Sequence, residues 1–305
     1  MVNLTEDGNH TTIQDSVCTP HFNGTYQKII VSTLNALLAI TAFLGNVLIV
    51  VAFPKVSSLH PPSKILLGCL ATTDLCVGLI SQPIYFIFLL STENSKLCYY
   101  SIILSYTMGL IFCGVSLLTL TAISLDRLLA LMLGLIYRQV VTLRRTWTLV
   151  AAFWLSSTVL AIALLFNILA AKYILCISTF SCIITSTFCY TKIYLTLRSH
   201  QTQVQSHVHQ GQQNGGGIQL NIPRYRKTVF ASLWVQITLV VCYRPYFIVV
   251  ILDITGPLGQ YVDLAWIVAI YFVILNSSLN PFLYCWKIRE VRQAVKNAII
   301  QLWVF

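Results

Sequence analysis

Apolar residues run nearly unbroken through seven stretches of the chain, at about 28–53, 64–90, 99–131, 146–167, 172–197, 228–252 and 263–286. Each reaches or exceeds the ~20 residues that an α-helix needs to cross the hydrocarbon core of a bilayer. Lipid offers no partner to a backbone amide, so a spanning segment must satisfy its own N–H and C=O groups as a helix. The pattern therefore predicts an all-α membrane protein whose residues 28–286 form a seven-transmembrane helix bundle. Residues 1–27 precede it as a polar tail. Between the fifth and sixth stretches, 199–223 opens on Ser-His-Gln-Thr-Gln and centres on Gly215-Gly216-Gly217. That composition predicts a flexible loop. After the last span, Ile288, Val291, Val295, Ile299 and Leu302 recur at helical spacing, with Lys287, Arg289, Arg292 and Lys296 between them. Residues 287–305 are thus expected to form an amphipathic eighth helix on the cytoplasmic leaflet, followed by a short tail.

Composition excludes a soluble domain, since 57% of the residues are hydrophobic and only 9% charged and the mean hydropathy is +0.77. Charge then orients the bundle. Lys55, Lys64, Arg127, Arg138, Arg144, Arg145, Lys192, Arg198, Arg224, Arg226, Lys227, Lys287, Arg289, Arg292 and Lys296 fall on one side, against Lys28, Lys96 and Lys172 on the other. By the positive-inside rule the C-terminal side is cytoplasmic. The tail agrees independently, because Asn3, Asn9 and Asn23 each begin an Asn-X-Thr glycosylation acceptor, used only outside the cytoplasm. The matching Asn276-Ser277-Ser278 lies inside the last span and is read as unmodified. No cleavable signal precedes Lys28, so the first span is expected to target the chain, as a multi-pass protein of the plasma membrane. The net charge of +10 sits beside span ends rather than in a compact patch. It points to membrane lipids as partners and not to nucleic acid. Of the ten cysteines, most lie within spans and read as small apolar residues. Cys18 and Cys98 face the outer side and could form a disulfide, with Cys176 the competing partner.

The chain carries no HExxH, no nucleophile with its base and no paired catalytic carboxylates, so an enzyme is not expected. His200, His207 and His209 lack the ligand spacing of a structural metal site and read as solvated loop residues. A transporter or channel is the competing class, with Asp74 and Arg244 marking an ion path. Internal duplication of the kind transporters show is not visible.

Polar groups inside the spans carry the functional signal, because an ionisable residue in hydrocarbon is costly unless it is used. Gly45-Asn46-Val47 in the first span, Leu70-Ala71-Thr72-Thr73-Asp74 in the second, Asp126-Arg127-Leu128 at the end of the third, Trp154 in the fourth and Tyr190-Thr191-Lys192-Ile193 in the fifth form one set. Cys242-Tyr243-Arg244-Pro245 in the sixth and Asn280-Pro281-Phe282-Leu283-Tyr284 in the seventh complete it. The set resembles the rhodopsin-like (class A) G-protein-coupled receptors over about residues 28–300. The resemblance implies a receptor that passes an extracellular ligand signal to heterotrimeric G proteins. It further implies that Asn46, Asp74, Ser116, Asn276, Ser277 and Asn280 share a water-filled network able to hold an allosteric sodium ion at Asp74. The alternative is a neutral Asp74 hydrogen-bonded to Asn46 and Asn280 as structural glue. Asp126, Arg127, Tyr190, Pro281 and Tyr284 would form the G-protein switch. Asp126 would restrain Arg127 at rest, and Tyr284 would swing below the hinge that Pro281 creates.

Several departures fall on the ligand-reading side. Tyr243 replaces a tryptophan, Cys182 a proline and Leu239 a phenylalanine. At the G-protein side, Tyr225 stands where many members carry an acid able to pair with Arg127, so the resting state is weakly locked and basal activity is expected. Leu128 and Gly134 replace a tyrosine and a proline nearer the cytoplasm. Gly109 in place of an aspartate disfavours amine ligands, and Ile274 in place of a lysine excludes an opsin. The candidate ligand set is Tyr85, Phe88, Tyr106, Gly109, Cys113, Ser178, Tyr243, Tyr246, Phe247, Val250, Trp266 and Ile270. The turn between the fourth and fifth spans is very short, and Ile102 stands where the lid disulfide would attach. These features resemble the melanocortin, lysophospholipid and cannabinoid group, although Ile84, Ile102 and Tyr106 stand where melanocortin receptors carry acids. A small lipid-like or weakly charged ligand is expected, with a peptide as the alternative, oriented by the rim residues Glu93, Lys96, Asp253 and Asp263. Arg244 would either meet a ligand anion or snorkel to the interface.

Overall fold

The computed structural model describes residues 25–56, 60–91, 95–209, 222–256, 262–287 and 289–303. Seven of its helices are long and apolar enough to cross a membrane. The first to seventh spans lie in helices Thr25–Ala52, Pro61–Leu90, Lys96–Leu133, Leu143–Phe166, Ile168–His209, Ile222–Thr255 and Val262–Lys287, and a last helix follows at Arg289–Trp303. The chain is a multi-pass membrane protein. Asn3, Asn9, Asn23, Cys18, Glu93 and Ile288 fall outside the described residues.

Local chemistry sets the helix ends. Ser95 caps the third span by accepting the Cys98 amide at 3.1 Å. Gly134 ends the same helix at φ 50°, a left-handed conformation closed to the proline expected there. Asn167 alone separates the fourth and fifth helices, and its side chain accepts the Ala170 amide at 3.0 Å to start the fifth. The second span contains a π-turn at Val77–Ser81, ending two residues before Pro83. The proline ring would clash with the carbonyl four residues back, and one widened turn relieves that clash.

The bundle is apolar outside and polar within. Leu155, Ile177 and Phe188 stand exposed, whereas Asn46, Asp74 and Asn280 are completely buried. Lipid gives no hydrophobic gain for joining helices, so close approach and hydrogen bonds must do it. A Cβ on Gly78 would lie 2.9 Å from the Ala39 carbonyl oxygen, and one on Gly45 would lie 2.9 Å from Cγ of Pro281. Those two glycines let the first span lie against the second and the seventh. Leu70, Leu117, Leu120, Leu239, Cys242, Tyr243, Val273 and Tyr284 then form one continuous core through the middle of the bundle.

Two boundaries differ from expectation. The fifth helix continues through His209, so the segment from 199 begins as helix rather than loop. A polar sequence does not by itself prevent a helix from satisfying its own backbone. The C-terminal helix presents Val291, Ala294, Val295 and Ala298 to the protein as buried groups, and Val291 and Val295 join a cluster with Phe53 and Val56. Farther along, Ile299 and Ile300 are exposed. The stripe is divided between protein and surroundings, not given to the membrane alone.

Candidate functional site

At the centre of the bundle, the Asp74 carboxylate accepts two hydrogen bonds. Nδ2 of Asn280 donates to Oδ2 at 2.7 Å and Oγ of Ser116 donates to Oδ1 at 3.2 Å. Ser277 lies within its reach as well. Asn46 is not a partner of Asp74. Its Nδ2 donates to the Ala42 carbonyl at 2.8 Å and to the Ser277 carbonyl at 3.1 Å, which ties the first span to the seventh. Four neighbouring groups stay uncommitted: Oδ1 of Asn46, Oδ1 of Asn280, both amide atoms of Asn276 and Oη of Tyr284 have no hydrogen-bond partner within the protein. A buried polar atom without a partner costs about 1–3 kcal/mol, so a carboxylate among spare amide oxygens is a donor set suited to a hard cation or to water.

Toward the side where the third span ends, Asp126 is buried and fully engaged. Oη of Tyr137 donates to its Oδ1 at 2.6 Å and Oγ of Ser63 donates to its Oδ2 at 2.8 Å. Among the described residues no ion pair joins Asp126 to Arg127; the carboxylate restrains the loop after the third span instead. Arg127 and Tyr190 both lie in electrostatic range of the Tyr284 hydroxyl, so the structure brings these three expected switch residues together. Tyr190 packs on Leu128, the leucine that replaces the triplet's tyrosine. Pro281 sits inside the seventh helix between Asn280 and Tyr284.

The candidate ligand residues occupy the opposite end of the bundle and are not one ring. Tyr246 and Trp266 meet edge to face at 5.6 Å, with Tyr106 close to the Tyr246 hydroxyl. Tyr85 and Phe88 pack at 5.6 Å on the second span. Tyr243 is buried, and its hydroxyl donates to the Cys113 carbonyl at 3.3 Å. Val250 is buried, Ile270 packs beside Phe112 and Ile274, and the Ser178 hydroxyl turns back to the Leu175 carbonyl. Gly109 leaves room for the Ser81 hydroxyl, 3.2 Å from where its Cβ would be. Phe247 departs from the set by stacking at 5.4 Å on Phe180, which is half exposed on the bundle's outside. Arg244 is exposed on that outer surface too, in keeping with snorkelling and not with a ligand contact.

Three features escaped the sequence reading. Lys172 and Asp253 form an ion pair at 2.5 Å, and the same ammonium lies 5.8 Å from the Trp266 ring centroid. Asn35 donates to the Gln82 carbonyl at 2.9 Å while Gln82 donates to the Asn35 carbonyl at 3.4 Å, a reciprocal clamp of the first and second spans. Ser63 and Tyr137 hold Asp126. The first two, and Ser63 with Asp126, join residues 47 to 81 positions apart, where neither spacing nor composition leaves a signal; Tyr137 is only 11 positions from Asp126. Cys98 is disulfide-bonded, whereas Cys176 is free.

A family model described as "7 transmembrane receptor (rhodopsin family)" matches residues 45–185 and 167–284. The chain is also 23% identical over 286 residues to "Melanocortin receptor 4" of Danio rerio, which covers 90% of this chain and 86% of that protein.

Proposed function

Because the chain belongs to the rhodopsin family of seven-transmembrane receptors, whose members couple ligands to G proteins, we propose that it does so at the plasma membrane with its N-terminal tail outside. The chain itself does no chemistry. The observation that carries this reading is the uncommitted Tyr284 hydroxyl, buried between the Asp74 network and Arg127. A group that forgoes a hydrogen bond in one state is available to make one in another. Sodium is proposed at the same network, held by the oxygens of Asp74, Ser116 and Asn280, where its charge would favour the resting arrangement. Asn3, Asn9 and Asn23 are proposed to carry glycans.

The ligand is small and lipid-like or weakly charged. Gly109 offers no counter-ion to an ammonium, and Asp253, near the aromatic residues, is already paired with Lys172. A peptide is the second reading, because Oδ1 of Asp253 has no partner among the described residues and could receive a cationic side chain. Expression in cells carrying a panel of G-protein activation sensors tests the proposal. Ligand-free activation of at least one G protein above empty-vector cells is expected, and uncharged amphiphiles are expected to lead the hits from a mixed library. Glycosidase treatment of intact cells should sharpen and shift the band. An ion flux persisting without any G protein would overturn the reading in favour of a transporter.

A further inference from the structure

The Lys172–Asp253 ion pair lies at the end of the bundle where the first span begins. Lys172 stands at the start of the fifth span and Asp253 at the end of the sixth, so the pair crosses between two helices whose neighbouring turn is a single residue, Asn167. It is partly sheltered, with side-chain exposures of 27% and 20%. Trp266 of the seventh span supplies the ammonium with an aromatic face. Below it, the Tyr246 hydroxyl is buried without any partner, against the edge of Trp266 and close to Tyr106. One helical turn deeper than Lys172, on the same face of the fifth span, lies the free thiol of Cys176, near Tyr246.

We propose that Lys172, Asp253 and Trp266 form a charge-neutral lid over the ligand entrance, and that this lid selects uncharged ligands which satisfy the Tyr246 hydroxyl. The inference deepens the proposed ligand class and rests on the tail-outside orientation. Its physical basis is compensation. A ligand with one net charge must break the pair to engage either member, leaving the other charge poorly solvated beside aromatic rings, which is costly. An uncharged ligand leaves the pair intact and can bond to the Tyr246 hydroxyl, which lies near Tyr106 but has no hydrogen-bond partner among the described residues. Among the described residues the single-residue fourth-to-fifth turn offers little backbone to cover the entrance, and these side chains stand there instead.

Reaction of Cys176 with methanethiosulfonate reagents on intact cells tests this without ligand or G protein. The rate is taken as the difference from Cys176→Ala and normalised to each reagent's rate with a free thiol. In the unaltered chain the uncharged methyl reagent should react at least tenfold faster than the cationic trimethylammonium-ethyl or anionic sulfonatoethyl reagents. Lys172→Gln leaves an uncompensated carboxylate and should accelerate the cationic reagent more than the anionic one. Asp253→Asn should do the reverse. The exchanged pair, Lys172→Asp with Asp253→Lys, should restore the original selectivity, and Lys172→Arg should keep it. Equal normalised rates for all three reagents in the unaltered chain would overturn the proposal. So would single variants that accelerate both charged reagents alike, or an exchanged pair that behaves like the singles. If a single variant does not reach the surface, Lys172→Arg and the unaltered chain still decide. Failure here with ligand-free G-protein activation intact would remove the lid and leave the receptor reading standing.

Discussion

The two ends of this bundle handle buried polarity in opposite ways. Toward the C-terminal side, polar groups from several spans converge on a few acceptors: Asp126 takes Ser63 and Tyr137, and Asp74 takes Ser116 and Asn280. At the opposite end polar groups pair off locally: Lys172 with Asp253, Asn35 with Gln82, and Ser81 with Ser105. Tyr246 is left with no partner. The first arrangement is a network whose members depend on one another, so changing one disturbs the rest. The second is a set of aromatic surfaces in which a single residue can change without that penalty. Output machinery shared across a family suits the former, and a ligand-reading surface that varies between members suits the latter.

Substitutions can break or sharpen that contrast. The largest effect is expected from Arg127→Ala, which removes the cation facing Tyr284 and Tyr190; G-protein activation should fall at least tenfold at matched surface expression. Gly45→Val forces a side chain against the Pro281 ring at a 2.9 Å approach. Overpacking of this kind costs about 1–3 kcal/mol, and surface expression and melting temperature in detergent should drop together. Asp74→Asn should abolish any stabilisation by sodium. With sodium bound as proposed, that stabilisation would amount to about 1.4 kcal/mol at ten times the dissociation constant, read as a sodium-dependent melting shift. Tyr137→Phe loses a 2.6 Å charge-assisted bond and should destabilise the resting state by about 1.5–3 kcal/mol, visible as raised basal signalling. The smallest effect belongs to Tyr246→Phe. Its hydroxyl has no hydrogen-bond partner among the described residues, so melting temperature should hold or rise slightly while ligand potency falls. A Tyr246→Phe chain as unstable as Tyr137→Phe would erase the distinction between the two ends.

Much of the fold was legible because membrane constraints are strong. Seven apolar runs and the helix-forming stripe after Tyr284 follow from backbone satisfaction in lipid, and Asp74, Asp126 and Asn280 announce themselves as costly residues in hydrocarbon. Other features depend on tertiary encounter. Nothing near Lys172 in sequence marks Asp253, 81 positions away, as its partner. Phe247 reads as a pocket aromatic by position, but helical rotation turns it toward Phe180 at the bundle's outside. Asp126 was expected to hold its neighbour Arg127, yet adjacent residues on a helix point in different directions, and Ser63 and Tyr137 claim the carboxylate. The extent of the fifth helix escaped because polarity predicts poor packing, not the absence of a helix.

The Asn46 amide adds a consequence for how the molecule is made. One of its bonds reaches the Ser277 carbonyl, 231 positions later in the chain. At roughly 5–20 residues per second of synthesis, that partner emerges only tens of seconds after the first span has entered the membrane. In the interval the same amide can turn to the Ala42 carbonyl of its own helix, at 2.8 Å, and need not wait bare in lipid. The first span can thus be inserted early and completed late, which makes closure of the bundle an event in time that a nascent chain stalled before Ser277 could not reach.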